Sequence, residues 1–260
     1  MMNIMESIHT DMLDRKLVLT KPLKRIVSLV PSVTEFLFDI GLENEVVGVT
    51  KFCKYPDTVS NKVKVGGTKN ISLDKIDLLS PDLIIANKEE NEKKAIDELQ
   101  KKYPVWVGEV KTIEEAFAMM NKLGVLTGKN EETRKLAKEI KDSLDSYRSL
   151  TNLRACYLIW KKPFMTVGGD TYIHAMMEKA GFMNVFKDRK RYPITDLDEI
   201  KALSPDIILL SSEPYFFKEK DKVELQQLCP IQSVKLVNGE IFSWYGSRMR
   251  LASDYFKSLF

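Results

Sequence analysis

Residues 71–85 read ISLDKIDLLSPDLII and residues 195–209 read TDLDEIKALSPDIIL, and at the constant offset of 124 (204 − 80) eight of the fifteen positions are identical. The shared positions are Leu73/Leu197, Asp74/Asp198, Ile76/Ile200, Leu79/Leu203, Ser80/Ser204, Pro81/Pro205, Asp82/Asp206 and Ile84/Ile208. Each copy spells a short helix, a Ser-Pro-Asp turn and an apolar run suited to a buried strand. Such a unit, used twice in one chain, argues for two lobes of common ancestry.

Working outward, residues 25–30 (RIVSLV) read as a buried strand, and Pro31-Ser32-Val33-Thr34-Glu35 offers an S-x-x-E capping box for a helix through Ile40, stopped at Gly41. Residues 46–49 and 83–86 read as further buried strands, and 89–102 has helical periodicity. The second half begins again with a strand over 155–160, followed by a helix over 173–180 closed by Gly181. Alternating strands and helices predict an α/β fold with parallel sheets covered on both faces, here as two Rossmann-like lobes. Between them, Thr112-Ile113-Glu114-Glu115 opens one helix. Residues 131–150 then form a long amphipathic run, with Leu136, Ile140, Leu144 and Tyr147 on its apolar stripe and neither Pro nor Gly. A flexible linker would be rich in those two residues, so a single long bridging α-helix acting as a rigid strut is expected. The resulting division is an N-terminal extension 1–21, a first lobe 22–110, a bridging helical segment 111–152 and a second lobe 153–260.

At 260 residues, 44% hydrophobic and 30% charged, the chain has the composition of an ordinary globular protein with enough apolar residues for two cores. A net charge of +3 without a concentrated basic face excludes nucleic acid as a partner class. Residues 1–24 include Glu6, Asp11 and Asp14 and lack the apolar stretch of a signal peptide or membrane span, so a cytoplasmic location is expected. A periplasmic or membrane-anchored protein whose export signal has been removed is the alternative. Cys53, Cys156 and Cys229 are odd in number and widely spaced, which suits buried thiols and neither a disulfide framework nor a zinc site.

Catalytic chemistry is poorly represented. The two histidines, His9 and His174, stand at no metal-ligand spacing, and no dinucleotide, P-loop or nucleophile-elbow motif occurs. In an open α/β sheet the ligand lies beyond the carboxyl ends of the strands. The loops expected there hold Tyr55, Lys69, Asn87, Trp160, Phe164, Tyr192, Tyr215, Trp244 and Tyr245, a set of flat apolar surfaces with polar edges suited to a large planar or caged ligand. Gly66-Gly67-Thr68 and Gly168-Gly169-Asp170 read either as close backbone approaches to a ligand or as tight turns. Arg189, Lys190, Arg191, Arg248 and Arg250 form a basic cluster able to attract an anionic group.

With the first strand, the Pro31-Ser32 turn, the twice-used Leu-Asp-x-Ile…Ser-Pro-Asp segment and the bridging helix in place, the chain resembles the helical-backbone substrate-binding proteins of ATP-binding cassette importers. Within them it is most similar to the cobalamin-binding branch, from about Thr10 to the carboxyl terminus. The resemblance implies a monomeric binding protein, not an enzyme, holding a corrinoid or ferric chelate in a cleft between the lobes, with no resident cofactor or metal. It implies ligand contacts at Tyr55, Thr68, Asn87 and Tyr192, to which the loops and the basic cluster add Lys69, Trp160, Phe164, Trp244 and Arg248. Thr68 and Asn87 stand where the cobalamin branch has large aromatics, whereas Tyr55 and Tyr192 keep an aromatic. It also implies a permease dimer as membrane partner, docked through Asp74 and Asp198, where that branch has Glu. Two other readings compete: a two-lobed metal chelatase, which would need His174 as its metal-contacting base, and a cytosolic chelate sensor or carrier.

Overall fold

The computed structural model describes residues 7–20, 22–149, 151–229 and 233–260. Part of the expected N-terminal extension, and Leu150 at the end of the expected strut, lie outside the described residues. The chain divides into two compact units. One takes Met1–Val110, Glu114–Lys141 and Tyr245–Arg248, and the other takes Lys111–Ile113, Asp142–Trp244 and Met249–Phe260. Both are α/β with a parallel sheet, the expected fold class.

The first unit contains β1 (Ser7–Thr10), β2 (Lys16–Leu19), β3 (Ile26–Ser28), α1 (Pro31–Asp39), β4 (Val46–Val49), β5 (Val63–Lys64), α2 (Leu73–Leu79), β6 (Leu83–Asn87), α3 (Lys93–Gln100) and β7 (Val105–Gly108). Strands β5-β4-β3-β6-β7 form one sheet in that order, every neighbouring pair parallel. Its central strands β3 and β6 are buried along their whole length, as a sheet covered on both faces requires. Val27, Leu29, Ile76, Ile84, Ile96 and Leu99 build one side of the core. Hairpin β1-β2 adds a buried acid: Asp11 accepts from Arg15 Nε at 2.8 Å and from the Val107 N–H at 3.3 Å, which covers part of the β7 edge.

The connector holds two helices, α4 (Ile113–Thr127) and α5 (Asn130–Ser146), with Gly128 between them at φ +70°. Leu136, Ile140 and Leu144 on the stripe of α5 are buried, and so is Tyr147 just beyond its end. α5 runs through the point where the first unit gives way to the second, at Lys141 and Asp142.

The second unit continues with β8 (Leu153–Leu158), β9 (Trp160–Lys161), β10 (Phe164–Met165), α6 (Tyr172–Ala180), β11 (Phe182–Asn184), β12 (Ile194–Thr195), α7 (Leu197–Ala202), β13 (Ile207–Ser211), α8 (Glu219–Leu228), β14 (Ser233–Val237), α9 (Gly239–Ser243) and α10 (Ala252–Ser258). Strands β11-β8-β13-β14 form a parallel sheet, and β12-β10-β9 a small antiparallel one. The strand expected over 155–160 therefore stops at Leu158. There the chain leaves the parallel ladder, and the Ile159 N–H donates to Met165 O at 2.9 Å within the hairpin.

The twice-used segment folds alike in each unit. α2 ends on Ser80 (φ 42°) and α7 is followed by Ser204 (φ 45°), with each hydroxyl donating to a carbonyl three residues back. Proline follows, where a helix cannot continue. Asp82 then accepts from the Lys24 N–H at 3.0 Å, and Asp206 from the Arg154 N–H at 2.8 Å, so each carboxylate clamps the start of its unit's leading strand. Arg25 donates to Leu79 O and Arg154 to Leu203 O, both at 2.6 Å, placing a cation on each helix's carboxyl end. The eight identities thus encode a helix stop and a strand clamp.

The expected capping box at Ser32 and Glu35 does not form. Pro31, with its φ already helical, takes the first helical position, so Ser32 falls inside the helix and its hydroxyl has no partner. Glu35 instead pairs with Arg248.

Candidate functional site

In the first unit the loops after β3, β4, β5 and β6 leave from the carboxyl edge of one parallel sheet. A buried polar chain fixes two of them: Thr34 Oγ1 donates to Ser28 Oγ at 2.8 Å and lies 3.2 Å from Cys53 Sγ, which is 3.3 Å from Thr50 Oγ1. Burial pushes the Cys53 thiol up from its ordinary value. This network holds the loop that carries Phe52 and Tyr55. Phe52 is 46% exposed, the Lys51 ammonium stands 5.1 Å from its ring centroid, and a Cβ on Gly67 would meet the ring at 3.3 Å. Sequence reasoning passed over Phe52; its place in the loop after β4, three residues before Tyr55, was the available signal.

Tyr55 is half-buried under the Arg248 guanidinium, 3.7 Å from its ring centroid. Arg248 in turn grips Glu35 through a fork, Nε to Oε2 at 3.0 Å and Nη2 to Oε1 at 2.9 Å, with both side chains 9% exposed. Arg248 was expected in a basic cluster open to an anion. The structure corrects this, because its charge is neutralised by a buried carboxylate and its flat face supports Tyr55. Asn87 is likewise buried: its amide donates to Tyr245 Oη at 2.8 Å and its Oδ1 accepts from the N–H groups of Glu89 and Glu90. Asn87 therefore builds the loop floor. Thr68 is half-buried, its carbonyl accepting from Asn91, whereas Lys69 is exposed and reaches Glu89 O at 2.6 Å.

In the second unit the carboxyl ends of β8 and β13 present Trp160 (39% exposed) and Phe216 (64% exposed). Trp160 meets Tyr215 edge-on at 5.7 Å, and Tyr215 rests on Phe217 at 4.7 Å. Tyr192 is half-buried, with the Arg191 guanidinium 5.7 Å from its ring. Phe164 is half-buried and packs against the core cluster, as Leu197 and Tyr215 do. Trp244 is 7% exposed, and its indole N–H donates to Glu213 Oε1 at 2.9 Å, an oxygen shared with the Ser243 hydroxyl. It braces the loop after β13 and presents little surface.

The second glycine pair serves the backbone. A Cβ on Gly168 would lie 2.4 Å from Arg189 O and one on Gly169 2.1 Å from Lys187 O, so residues 187–191 pack directly on the pair. Arg189 is held by Glu199 at 2.6 Å. His174 contacts Asn184 at 3.3 Å and Glu178 at 3.5 Å. Among the described residues, no group of three His, Cys, Asp or Glu could hold a metal ion, and no helix is long and apolar enough to cross a membrane. Asp74 and Asp198 are both exposed, each in the first turn of its helix.

The family described as periplasmic binding protein matches residues 26–229. A vitamin B12-binding protein of Vibrio campbellii (strain ATCC BAA-1116) is 26% identical over 196 residues, which is 73% of this chain and 71% of the relative. Two solved structures share the fold. One is described as a possible iron-binding (periplasmic solute-binding) protein from Staphylococcus epidermidis ATCC 12228, with TM-score 0.77 and 24% identity over 92% of this chain and 100% of that one. The other is the periplasmic heme-binding protein RhuT from Roseiflexus sp. RS-1, with TM-score 0.78 and 17% identity over 90% and 97%. These findings overturn the expected cytoplasmic location: the matched family and both structures are periplasmic by description. The composition of residues 1–24 describes that stretch and does not report the compartment.

Proposed function

The chain belongs to the periplasmic binding protein family, and on that premise we propose that it is a solute-binding protein holding a bulky metal chelate, a cobalamin-like corrinoid or a ferric siderophore, for import by an ATP-binding cassette transporter. The observation that carries this reading is the exposure of large aromatics where the parallel strands end: Phe52 beside Tyr55 in one unit, Trp160 and Phe216 beside Tyr215 in the other. Stacking on flat rings suits a ligand that is wide and largely apolar with polar edges. Lys51 and Lys69, both exposed on the first unit's face, favour a chelate with anionic edge groups.

The chelate is cargo, and the protein works by binding alone, as a monomer without a resident cofactor. Binding-protein relatives support the absence of catalysis. His174, the base a chelatase would use, faces Asn184, whose amide is already given to Val167 O at 2.9 Å. Asp74 and Asp198 are the docking acids for the permease. Titration of cyanocobalamin, cobinamide, haemin and ferric siderophores, followed by tryptophan fluorescence, gives saturable quenching with at least one at micromolar protein; none with any of them refutes the reading. Asp74→Arg with Asp198→Arg leaves that affinity unchanged and abolishes permease association, and retained association refutes the docking role.

A further inference from the structure

Beneath Trp160 lies a charged cluster that neither the fold core nor the ligand faces account for. The two-residue strand β9 turns its side chains to opposite sides, as strands do. Trp160 goes to the exposed side, against Tyr215, and Lys161 to the other, where its side chain is only 11% exposed. There Lys161 Nζ meets Asp221 Oδ1 at 2.6 Å and Glu224 Oε2 at 2.7 Å. Asp221 is itself 1% exposed, and its second oxygen accepts the Lys218 N–H at 2.8 Å, which caps the start of α8. Among the described residues, the ladder pairing of hairpin 160–165 to the rest of its unit is limited to the two residues of β12, a short ladder that is weak by itself.

We propose that Lys161 is a positioning residue that anchors the hairpin to the first turns of α8 and so holds the Trp160 ring ready for the ligand. The proposal rests on the reading of Trp160 as a ligand contact. Anchoring by a half-buried amine shared between two carboxylates removes rotational freedom that a two-residue strand cannot remove by its own pairing. It also explains why a lysine stands next to a ligand-facing tryptophan while pointing away from it.

Two measurements on the full chain test this. By hydrogen exchange without ligand, Lys161→Met accelerates the amides of 159–165 at least tenfold while the β8 and β13 amides keep their protection, and Lys161→Arg restores the slow rate. Unchanged exchange in the hairpin overturns the proposal whatever the ligand. In a double-mutant cycle with the chelate probe that binds wild type (cyanocobalamin, haemin or a ferric hydroxamate), Lys161→Met weakens binding about tenfold in the native background and less than twofold in Trp160→Ala. An equal loss in both backgrounds shows that Lys161 does not act through Trp160 and overturns the proposal. Should Lys161→Met fail to fold, Glu224→Gln, which keeps the buried Asp221 partner, serves the same cycle with a smaller loss. Absence of binding by any probe in wild type refutes the chelate reading instead, and the exchange experiment still decides the anchor.

Discussion

Replacing Arg248 by Met removes one partner of the buried ion pair beside Tyr55. In the native unit the guanidinium makes two hydrogen bonds to Glu35, at 3.0 and 2.9 Å, and both side chains are 9% exposed. Methionine fills much of the space but leaves a carboxylate buried without its cation, which costs about 3–5 kcal/mol. Loss of the guanidinium stacked 3.7 Å from the Tyr55 centroid adds about 1 kcal/mol. With a urea slope of about 2–3 kcal/mol per molar, the midpoint read by circular dichroism falls by roughly 1.3–3 M. The double variant Glu35→Leu/Arg248→Met removes both charges, and most of the loss returns because well-packed apolar residues can replace a buried pair at little cost. A loss below about 1 kcal/mol in Arg248→Met, or a double variant no more stable than the single one, refutes the account of Arg248 as a buried support.

Three further outcomes follow from the same geometry. Trp160→Ala and Tyr192→Ala weaken chelate binding by about 1–3 kcal/mol each with the fold intact, whereas Asn87→Ala, whose amide is spent on the loop floor, lowers stability by about 1–3 kcal/mol; isothermal titration and urea melts separate the two classes. Burial pushes Cys53, Cys156, Tyr157 and Tyr172 up from their ordinary values. The native state thus keeps protons that the unfolded state releases above about pH 8.5 for thiols and 10 for phenols. Stability is fully present below that range and falls as pH rises through it, by about 1.4 kcal/mol per pH unit for each ionising group; a flat profile from pH 8 to 11 contradicts the burial. Gly128→Ala, at φ +70° with nothing within 4 Å of the added Cβ, costs only left-handed strain of about 1–2 kcal/mol. Gly168→Ala costs more, because its Cβ would strike Arg189 O at 2.4 Å, and equal melting temperatures for the two variants would refute the close approach.

The fold was legible because its signals are local and repeated. Residues 46–49 carry enough apolar β-branched character to be a buried strand in isolation, and β4 spans those residues. Gly181 closes α6 at φ +93°, since only glycine adopts that conformation freely. The Ser-Pro-Asp repeat stops a helix in both units through the same hydrogen bonds. Elements whose end depends on a partner were less legible: nothing local says that the strand beginning at Leu153 stops at Leu158, because its limit is set by where β13 offers a neighbour and where Met165 captures Ile159.

The candidate site divides along the same line. Residue type alone placed aromatic and basic side chains in the loops after the strands, since the order of strands and helices determines which loops share a sheet edge. Which of them face outward was a tertiary matter. Trp160 and Trp244 are tryptophans of similar local sequence character, each following an apolar or helical run, yet one is 39% exposed and the other is 7% exposed with its N–H on Glu213. Arg248 reads as a surface cation until Glu35, 213 residues away, neutralises it. Nothing local to Phe52 says that its ring stays 46% exposed with Gly67, of another loop, beside it. Local sequence determines backbone conformation and apolar periodicity through short-range sterics and burial. The partner of a charge or the exposure of a ring depends on residues brought together only when distant segments pack, and that was decided by the tertiary structure.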